Sequence, residues 1–158
     1  MNGRAVAIGA AAVGSGLLGG VLFAFSSFVM PALRRIPAPE GISAMQSMNR
    51  QAPTAAFGTL MAATGLLAAG VGVQAALRRD QAGAAWVGVG SISILIAFAI
   101  TGAYNVPRND HLATFGAATP EAARYWSTFL NEWILANHVR TAFCVAAAAS
   151  YTMAPRQR

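Results

Sequence analysis

The chain has 158 residues, of which 56% are hydrophobic and only 10% are charged. A soluble domain carries roughly 25% charged residues, so this composition excludes an ordinary soluble domain and favours an integral membrane protein. The net charge of +6 comes from arginines that stand singly or in pairs, mostly at the ends of apolar segments. That placement is typical of membrane-flanking anchors and argues against nucleic-acid binding. The single cysteine, Cys144, excludes an internal disulfide.

Four apolar segments are long enough to cross a hydrocarbon core about 30 Å thick, which needs about 20 helical residues. None of them alternates with the period of a membrane β-strand, so helices are expected. The sequence therefore predicts an all-α fold, in which residues 1–158 form a single transmembrane domain built as a four-helix bundle. The sequence is also compatible with a homo-oligomer. The predicted spans are residues 5–33, 54–77, 84–104 and 133–153.

With four crossings, the two long loops share one side of the bilayer, and both termini share the other side with the short turn 78–83. In the first long loop, Ile42, Met45 and Met48 recur at helical spacing, which predicts an amphipathic helix lying at the membrane interface. The arginines of the terminal side lie in the shorter segments, so cytoplasmic termini in a bacterial-type plasma membrane are expected.

The fourth helix is predicted to extend beyond its span. Thr119 is a candidate N-cap, Pro120 suits the first helical position and Glu121 falls in the first turn. The helix would run from about residue 120 to 153 and measure roughly 50 Å at 1.5 Å per residue. In contrast, Pro107 is expected to end the third span, because proline disfavours helical geometry at the preceding residue.

Polar side chains gather at the loop-side end of the fourth span. At 100° per residue, one arc of about 160° holds them all. Each has a structural alternative: the arginine can snorkel, the tryptophan can belong to an interfacial belt, and the others can bond within the protein. Several polar residues at one depth are costly in so apolar a chain, which favours a pocket. The residues are Trp133, Asn137, His138, Arg140 and Thr141.

Further polar and aromatic residues are expected around the same loop-side pocket. Asn105 and Asn109 suit turn capping as well as ligand contact. Tyr104 and Trp126 flank the pocket, and the amphipathic helix contributes Asn49.

A metal site at His111, His138 and Asp110 is conceivable, since two histidines and one carboxylate suit non-haem iron. No diagnostic ligand spacing occurs in the chain. The sequence therefore assigns no metal ligands and no obligatory cofactor, with a metal ion or haem at His138 as the alternative.

Four stretches together resemble the anthrone-oxygenase-like family of small integral membrane proteins. They are "FSSFVMPAL", "GISAMQSMNR", "NVPRNDHLA", and Trp133 followed by "NHVRT", and the resemblance extends from about residue 25 to 141. Named members of this family, in polyketide pathways, oxidise anthrones to anthraquinones with dioxygen. The resemblance thus implies a membrane-embedded oxygenase or oxidase for a hydrophobic anthrone-like or phenolic substrate.

The resemblance also implies roles for particular residues. His138 would act as the base, and Asn137, Asn105 and Arg140 would donate to the developing oxyanion. Trp133 and Trp126 would be aromatic walls. Pro107 and Asn109 are further matching positions, whereas His111 and Asp110 fall where the family pattern is loose, which weakens the iron alternative.

Two other functions are compatible with the same residues. The first is a non-catalytic membrane protein that binds or transports a lipophilic small molecule. The second is a metal or haem redox protein that uses His138.

Overall fold

The computed structural model describes residues 3–154, and these residues form helices and short connections without any strand. The expected all-α fold is therefore confirmed. Two of the predicted terminal anchors, Arg156 and Arg158, lie outside the described residues.

Helix α1 runs from Gly3 to Arg35 and changes its winding near the loop-side end. Its segments are α-helical Gly3–Ala24, π-helical Phe25–Val29 and α-helical Met30–Arg35. Pro31 follows the π segment after one intervening residue, Met30. Proline has no amide hydrogen, and its ring collides with the preceding turn of an α-helix, whereas a π turn is wider and leaves it room. The predicted first span is therefore one helix that passes through a proline.

Helix α4 repeats this arrangement. It runs from Ala84 to Ala113 and contains the π-helical segment Thr101–Asn105 directly before Val106 and Pro107. Val106 has helical backbone angles of φ −61° and ψ −50°. The prediction that Pro107 ends this helix is wrong, because the wide π turn accommodates the ring and the helix continues for two further turns.

The other helices are α2 (Ala38–Gln51), α3 (Ala55–Leu77) and α5 (Pro120–Met153). The predicted start of α5 is confirmed: the Thr119 hydroxyl accepts a hydrogen bond from the Ala122 amide at 3.2 Å. In the first turn, a bond from its own backbone amide and a second from Arg124 lower the pKa of the Glu121 carboxyl.

Helix α5 lies between α1 and α4, and α3 contacts α1 and α4 on the other side. Among the described residues, three helices are long and apolar enough to cross a membrane: Gly3–Arg35, Ala56–Leu77 and Ala84–Ala113. Helix α5 is not one of these three, since its middle carries the polar residues predicted for the site.

Helix α2 packs against the loop-side ends of α1, α4 and α5. Its apolar face is the predicted one, since Ile42 and Met45 are fully buried with Trp126 in a loop-side core. Gln46 Nε2 donates to the backbone carbonyls of Leu112 and Phe115 at 2.9 and 3.0 Å. These bonds attach α2 to the loop-side end of α4.

Gly41 permits the close contact of α2 with this core. A Cβ atom there would lie 2.9 Å from the Leu33 carbonyl oxygen and 3.1 Å from a Trp126 ring atom. We expect Gly41→Ala to destabilise the protein by about 1–3 kcal/mol, because backbone and packed ring must both shift. The measurement is the melting temperature in detergent. Gly20→Ala is the matched control, since a Cβ at Gly20 meets nothing within 4 Å; an equal effect of both substitutions would contradict the steric explanation.

Candidate functional site

The inner face of α5 carries the predicted polar residues into the bundle between α1 and α4. Trp133, Asn137, Arg140 and Thr141 are buried on this face. His138 is exposed on the outer face of the same helix. The predicted arc is therefore split, because the helix buries the side that packs against its neighbours and turns His138 away from it.

Asn137 is completely buried and joins α5 to α1. Its Nδ2 donates to the Leu22 carbonyl and to Ser26 Oγ, both at 2.6 Å. Ser26 belongs to the π segment of α1, so a side chain of α5 is fixed to α1 at the level where the helix winding changes. π segments frequently accompany functional sites.

Arg140 is only 5% exposed, and three groups surround its guanidinium. Nη2 donates to Asn137 Oδ1, and Nη1 donates to Thr101 Oγ1 at 3.1 Å. The guanidinium carbon lies 5.4 Å from the centre of the Trp133 ring. Nε is buried and has no hydrogen-bond partner among residues 3–154. These three neighbours, an amide, a hydroxyl and an indole ring, are electrically neutral.

The charge of Arg140 has no acidic counterpart in the described part of the chain. The ion pairs there join Arg108 to Glu132 and Arg124 to Glu121. An arginine stays protonated in proteins, and an unpaired buried charge is costly. The site is therefore electropositive and suited to an anionic ligand or to negative charge that develops during a reaction.

Asn105 lies on the α4 side of the same region and is 1% exposed. Its Nδ2 is 3.4 Å from the Trp133 carbonyl oxygen, and its Oδ1 is buried without a partner in the part of the chain that the structure describes. Asn109, one turn later, accepts a 2.9 Å bond from Trp133 Nε1. Both asparagines thus contact Trp133, Asn105 at its backbone carbonyl and Asn109 at its indole nitrogen.

A layer of charged residues covers the loop-side edge of this region. Arg108 pairs with Glu132 at 2.8 Å, and its guanidinium carbon lies 3.4 Å from the centre of the Tyr104 ring. Both charged side chains are partly exposed, so the pair lies at the surface of the protein.

An aromatic stack extends from Trp133 toward α2. The rings of Trp126 and Phe129 are 5.5 Å apart and nearly parallel, and those of Phe129 and Trp133 are 6.4 Å apart. Phe25 of the α1 π segment lies 6.0 Å from Trp133. Trp126 and Trp133 are each 5% exposed, so these two predicted aromatic walls lie in one buried stack.

The structure brings together most of the predicted site residues but not all. Asn105, Asn109, Trp133, Asn137 and Arg140 form one connected group, and Trp126 lies at the end of the aromatic stack that contains Trp133. Tyr104 contacts Arg108 instead. Asn49 is half-buried on α2, and its Nδ2 has no partner within residues 3–154. Within residues 3–154, neither Asn49 nor His138 forms a hydrogen bond, ion pair or ring contact with this group.

Among the described residues, no three His, Cys, Asp or Glu side chains lie close enough together to hold a metal ion. No group there matches the three iron ligands that the sequence suggests, His111, His138 and Asp110. His111 contacts the rings of Tyr125 and Phe115 at 4.7 and 5.0 Å instead.

Two residues of the group escaped the sequence reasoning. Ser26 and Thr101 lie in apolar spans and are not among the predicted site residues, yet they bind Asn137 and Arg140. A usable signal was present, because each lies five or six residues before a proline inside an apolar segment. A proline at that point requires a distorted turn, and small hydroxyl residues can occupy the space that the turn opens.

We use the name Arg140 cluster for Ser26, Thr101, Asn105, Asn137 and Arg140. Hydrogen bonds join four of these residues, and Asn105 contacts Trp133, which lies beside Arg140. The family model described as Anthrone oxygenase matches residues 42–150. The chain belongs to the anthrone oxygenase family. The matched region contains all members of the Arg140 cluster except Ser26. No curated protein and no solved structure matches this member of the anthrone oxygenase family.

Proposed function

We propose that the chain is a membrane-embedded oxygenase that uses dioxygen to oxidise a hydrophobic anthrone-like or phenolic substrate at the Arg140 cluster. The observation that carries this proposal is the buried, uncompensated guanidinium of Arg140 beside Trp133. Oxidation of an anthrone passes through oxyanions, and fixed donors in a water-poor site stabilise such charge most effectively. Family membership supports the same reaction class.

The proposed membrane arrangement adds α5 as a fourth crossing, so that α1, α3, α4 and α5 form a four-helix bundle. The 34 residues of α5 correspond to roughly 50 Å, enough for a crossing with one end outside the hydrocarbon. Helix α2 would lie at the interface, with its polar face toward the headgroups. Both termini are proposed to be cytoplasmic in a bacterial-type plasma membrane.

The proposed reaction begins with loss of a proton from the methylene carbon of the anthrone. The resulting anion adds dioxygen at that carbon, and the peroxide takes up a proton. Loss of water then leaves a carbonyl group, so one dioxygen is consumed and one water is released for each quinone. The carbon loses four electrons, and dioxygen gains four. The chemistry therefore does not require a cofactor.

Residues of the cluster and the neighbouring Trp133 and Asn109 would have separate roles in this reaction. Arg140 would stabilise the oxyanions, with its Nε as the unoccupied donor. Asn137 and Thr101 would hold the guanidinium in place through its two terminal nitrogens. Trp133 would provide an aromatic surface beside the charge, and Asn109 would fix the orientation of that ring.

The identity of the base stays a prediction. His138 is the residue that the family resemblance indicates, and its exposed position on α5 would require a substrate that reaches the outer face of this helix. A His138→Ala variant decides the matter. Loss of oxidation with normal folding would support His138 as the base, and full activity would assign proton removal to another group.

The test of the proposed function is oxygen uptake by the purified protein in liposomes supplied with anthrone. We expect uptake matched by equal formation of anthraquinone, well above the rate of protein-free liposomes. Anthraquinone itself, which has no methylene group, is the control substrate. Ligand binding without oxygen uptake would contradict the proposal and favour the non-catalytic binding protein.

A further inference from the structure

Two buried polar atoms near Trp133 lack hydrogen-bond partners within the described residues. One is a donor, Arg140 Nε, and the other is an acceptor, Asn105 Oδ1. Arg140 is 5% exposed and Asn105 is 1% exposed. Buried polar atoms in proteins are nearly always satisfied, so a donor and an acceptor left open in one region indicate a ligand that offers the opposite pair.

The side chains of Arg140 and Asn105 both lie where α4 packs against α5. Thr101, which binds Arg140, and Asn105 are four residues apart and thus occupy one face of α4 about one turn apart. On α5, Asn105 approaches the backbone carbonyl of Trp133, and the guanidinium carbon of Arg140 lies 5.4 Å from the ring of the same residue. Both side chains that carry the open atoms therefore lie against Trp133.

The orientation of the Asn105 amide follows from its neighbour. Its Nδ2 faces the Trp133 carbonyl oxygen, which can only accept a hydrogen bond. A flipped amide would place two acceptors against each other. Oδ1 is consequently the free atom, and it requires a donor from the ligand.

The charge of the ligand follows from Arg140. Its neighbours are an amide, a hydroxyl and an indole ring, and none of them is negative. A neutral molecule would satisfy the hydrogen bonds but would leave the buried charge unbalanced. We propose that Arg140 and Asn105 form a binding site for one small oxyanion that carries an O–H group.

Such a site would receive an oxygen-derived anion that bears one proton. The inference shares Arg140 with the proposed function, but it concerns binding alone. Its experiment therefore contains no substrate and no turnover, so that the two can fail separately.

The experiment uses Trp133 as the reporter. Trp86→Phe and Trp126→Phe leave Trp133 as the remaining tryptophan. Nitrite quenches tryptophan fluorescence and has no O–H group, and hydrogencarbonate has one and serves as a non-quenching competitor. We expect saturable quenching by nitrite and its reversal by hydrogencarbonate.

Three substitutions in this background test the assignment. Arg140→Gln should remove saturable quenching, while Arg34→Gln, an exposed arginine, should leave it unchanged. Asn105→Leu should weaken hydrogencarbonate about tenfold, the value of one buried hydrogen bond, and leave nitrite within about twofold. If Arg140→Gln does not fold, Arg140→Lys replaces it, and about tenfold weaker nitrite binding is expected.

Quenching that rises linearly with nitrite in the parent protein would overturn the inference. Equal hydrogencarbonate binding by the parent and by Asn105→Leu would also overturn it. Saturable anion binding by a protein that does not oxidise anthrone would support the anion site and contradict the proposed function. Anthrone oxidation without saturable anion binding would support the proposed function and contradict the anion site.

Discussion

Substitution of Arg140 by glutamine is expected to lower the rate of anthrone oxidation by about 10²–10³-fold, the usual effect of removing one donor to an oxyanion. Arg140 is the buried cation that contacts Trp133, and its charge is not balanced by an acid in the described chain. Glutamine keeps a polar side chain of shorter reach but removes the charge. The measurement is quinone formation in liposomes at saturating oxygen.

Lysine at position 140 keeps the charge but loses the planar set of donors that binds Asn137 and Thr101. We expect an intermediate rate, about 10-fold or more below the parent, if the guanidinium geometry matters as well as its charge. Arg124→Gln is the matched control, since this arginine forms an exposed ion pair with Glu121. A glutamine variant at position 140 that folds normally and oxidises anthrone at the parental rate would remove Arg140 from the mechanism.

Substitution of Asn137 by leucine is expected to produce the largest loss of stability among single changes at the site. Asn137 is fully buried, and its amide donates to Leu22 and Ser26 while it accepts from Arg140. Leucine has a similar volume but leaves the Leu22 carbonyl and an Arg140 donor without these bonds. The expected cost is about 2–4 kcal/mol, from two or three buried groups left unsatisfied.

The check for this substitution is thermal unfolding in detergent, where we expect a decrease in Tm of about 5–10 °C for a protein of this size. Asn131→Leu is the control, because Asn131 forms an exposed bond with Arg34 that is worth little. Equal melting temperatures of the parent and Asn137→Leu would show that the contact between α1 and α5 does not depend on this amide.

Much of the fold could be predicted because apolar length and capping residues are local signals. Two long apolar segments predicted the positions of α1 and α3, and Thr119 followed by Pro120 predicted the start of α5. The buried face of α2 followed from the spacing of Ile42 and Met45. Each of these signals is contained within one helix, so that the rest of the chain need not be known.

The π segments could not be predicted, because a proline in an apolar segment is compatible with either a helix end or a wider turn. Tertiary packing decides between them: Asn137 supports the π segment of α1, and Arg140 supports that of α4. The exposed position of His138 was missed for a related reason. Helical spacing gives the angle between residues but does not say which side of a polar arc faces the neighbouring helices.

The connected group at the site was nevertheless recognisable in part. Asn105, Asn137 and Arg140 stand out as polar residues in an apolar chain, where each is costly unless it has partners. Their partners Ser26 and Thr101 do not stand out, since small hydroxyl residues are common in membrane helices. Polarity in an apolar chain therefore identified the residues that most need hydrogen-bond partners. The partners themselves could be found only from the structure.

The most direct test of the account is a single turnover of anthrone by the purified protein under ¹⁸O₂. The account predicts that the new carbonyl oxygen of anthraquinone carries ¹⁸O, that the second labelled atom appears as water, and that Arg140→Gln yields almost no product. A carbonyl oxygen that comes from solvent water, or a parent protein that forms no quinone above the protein-free rate, would contradict it.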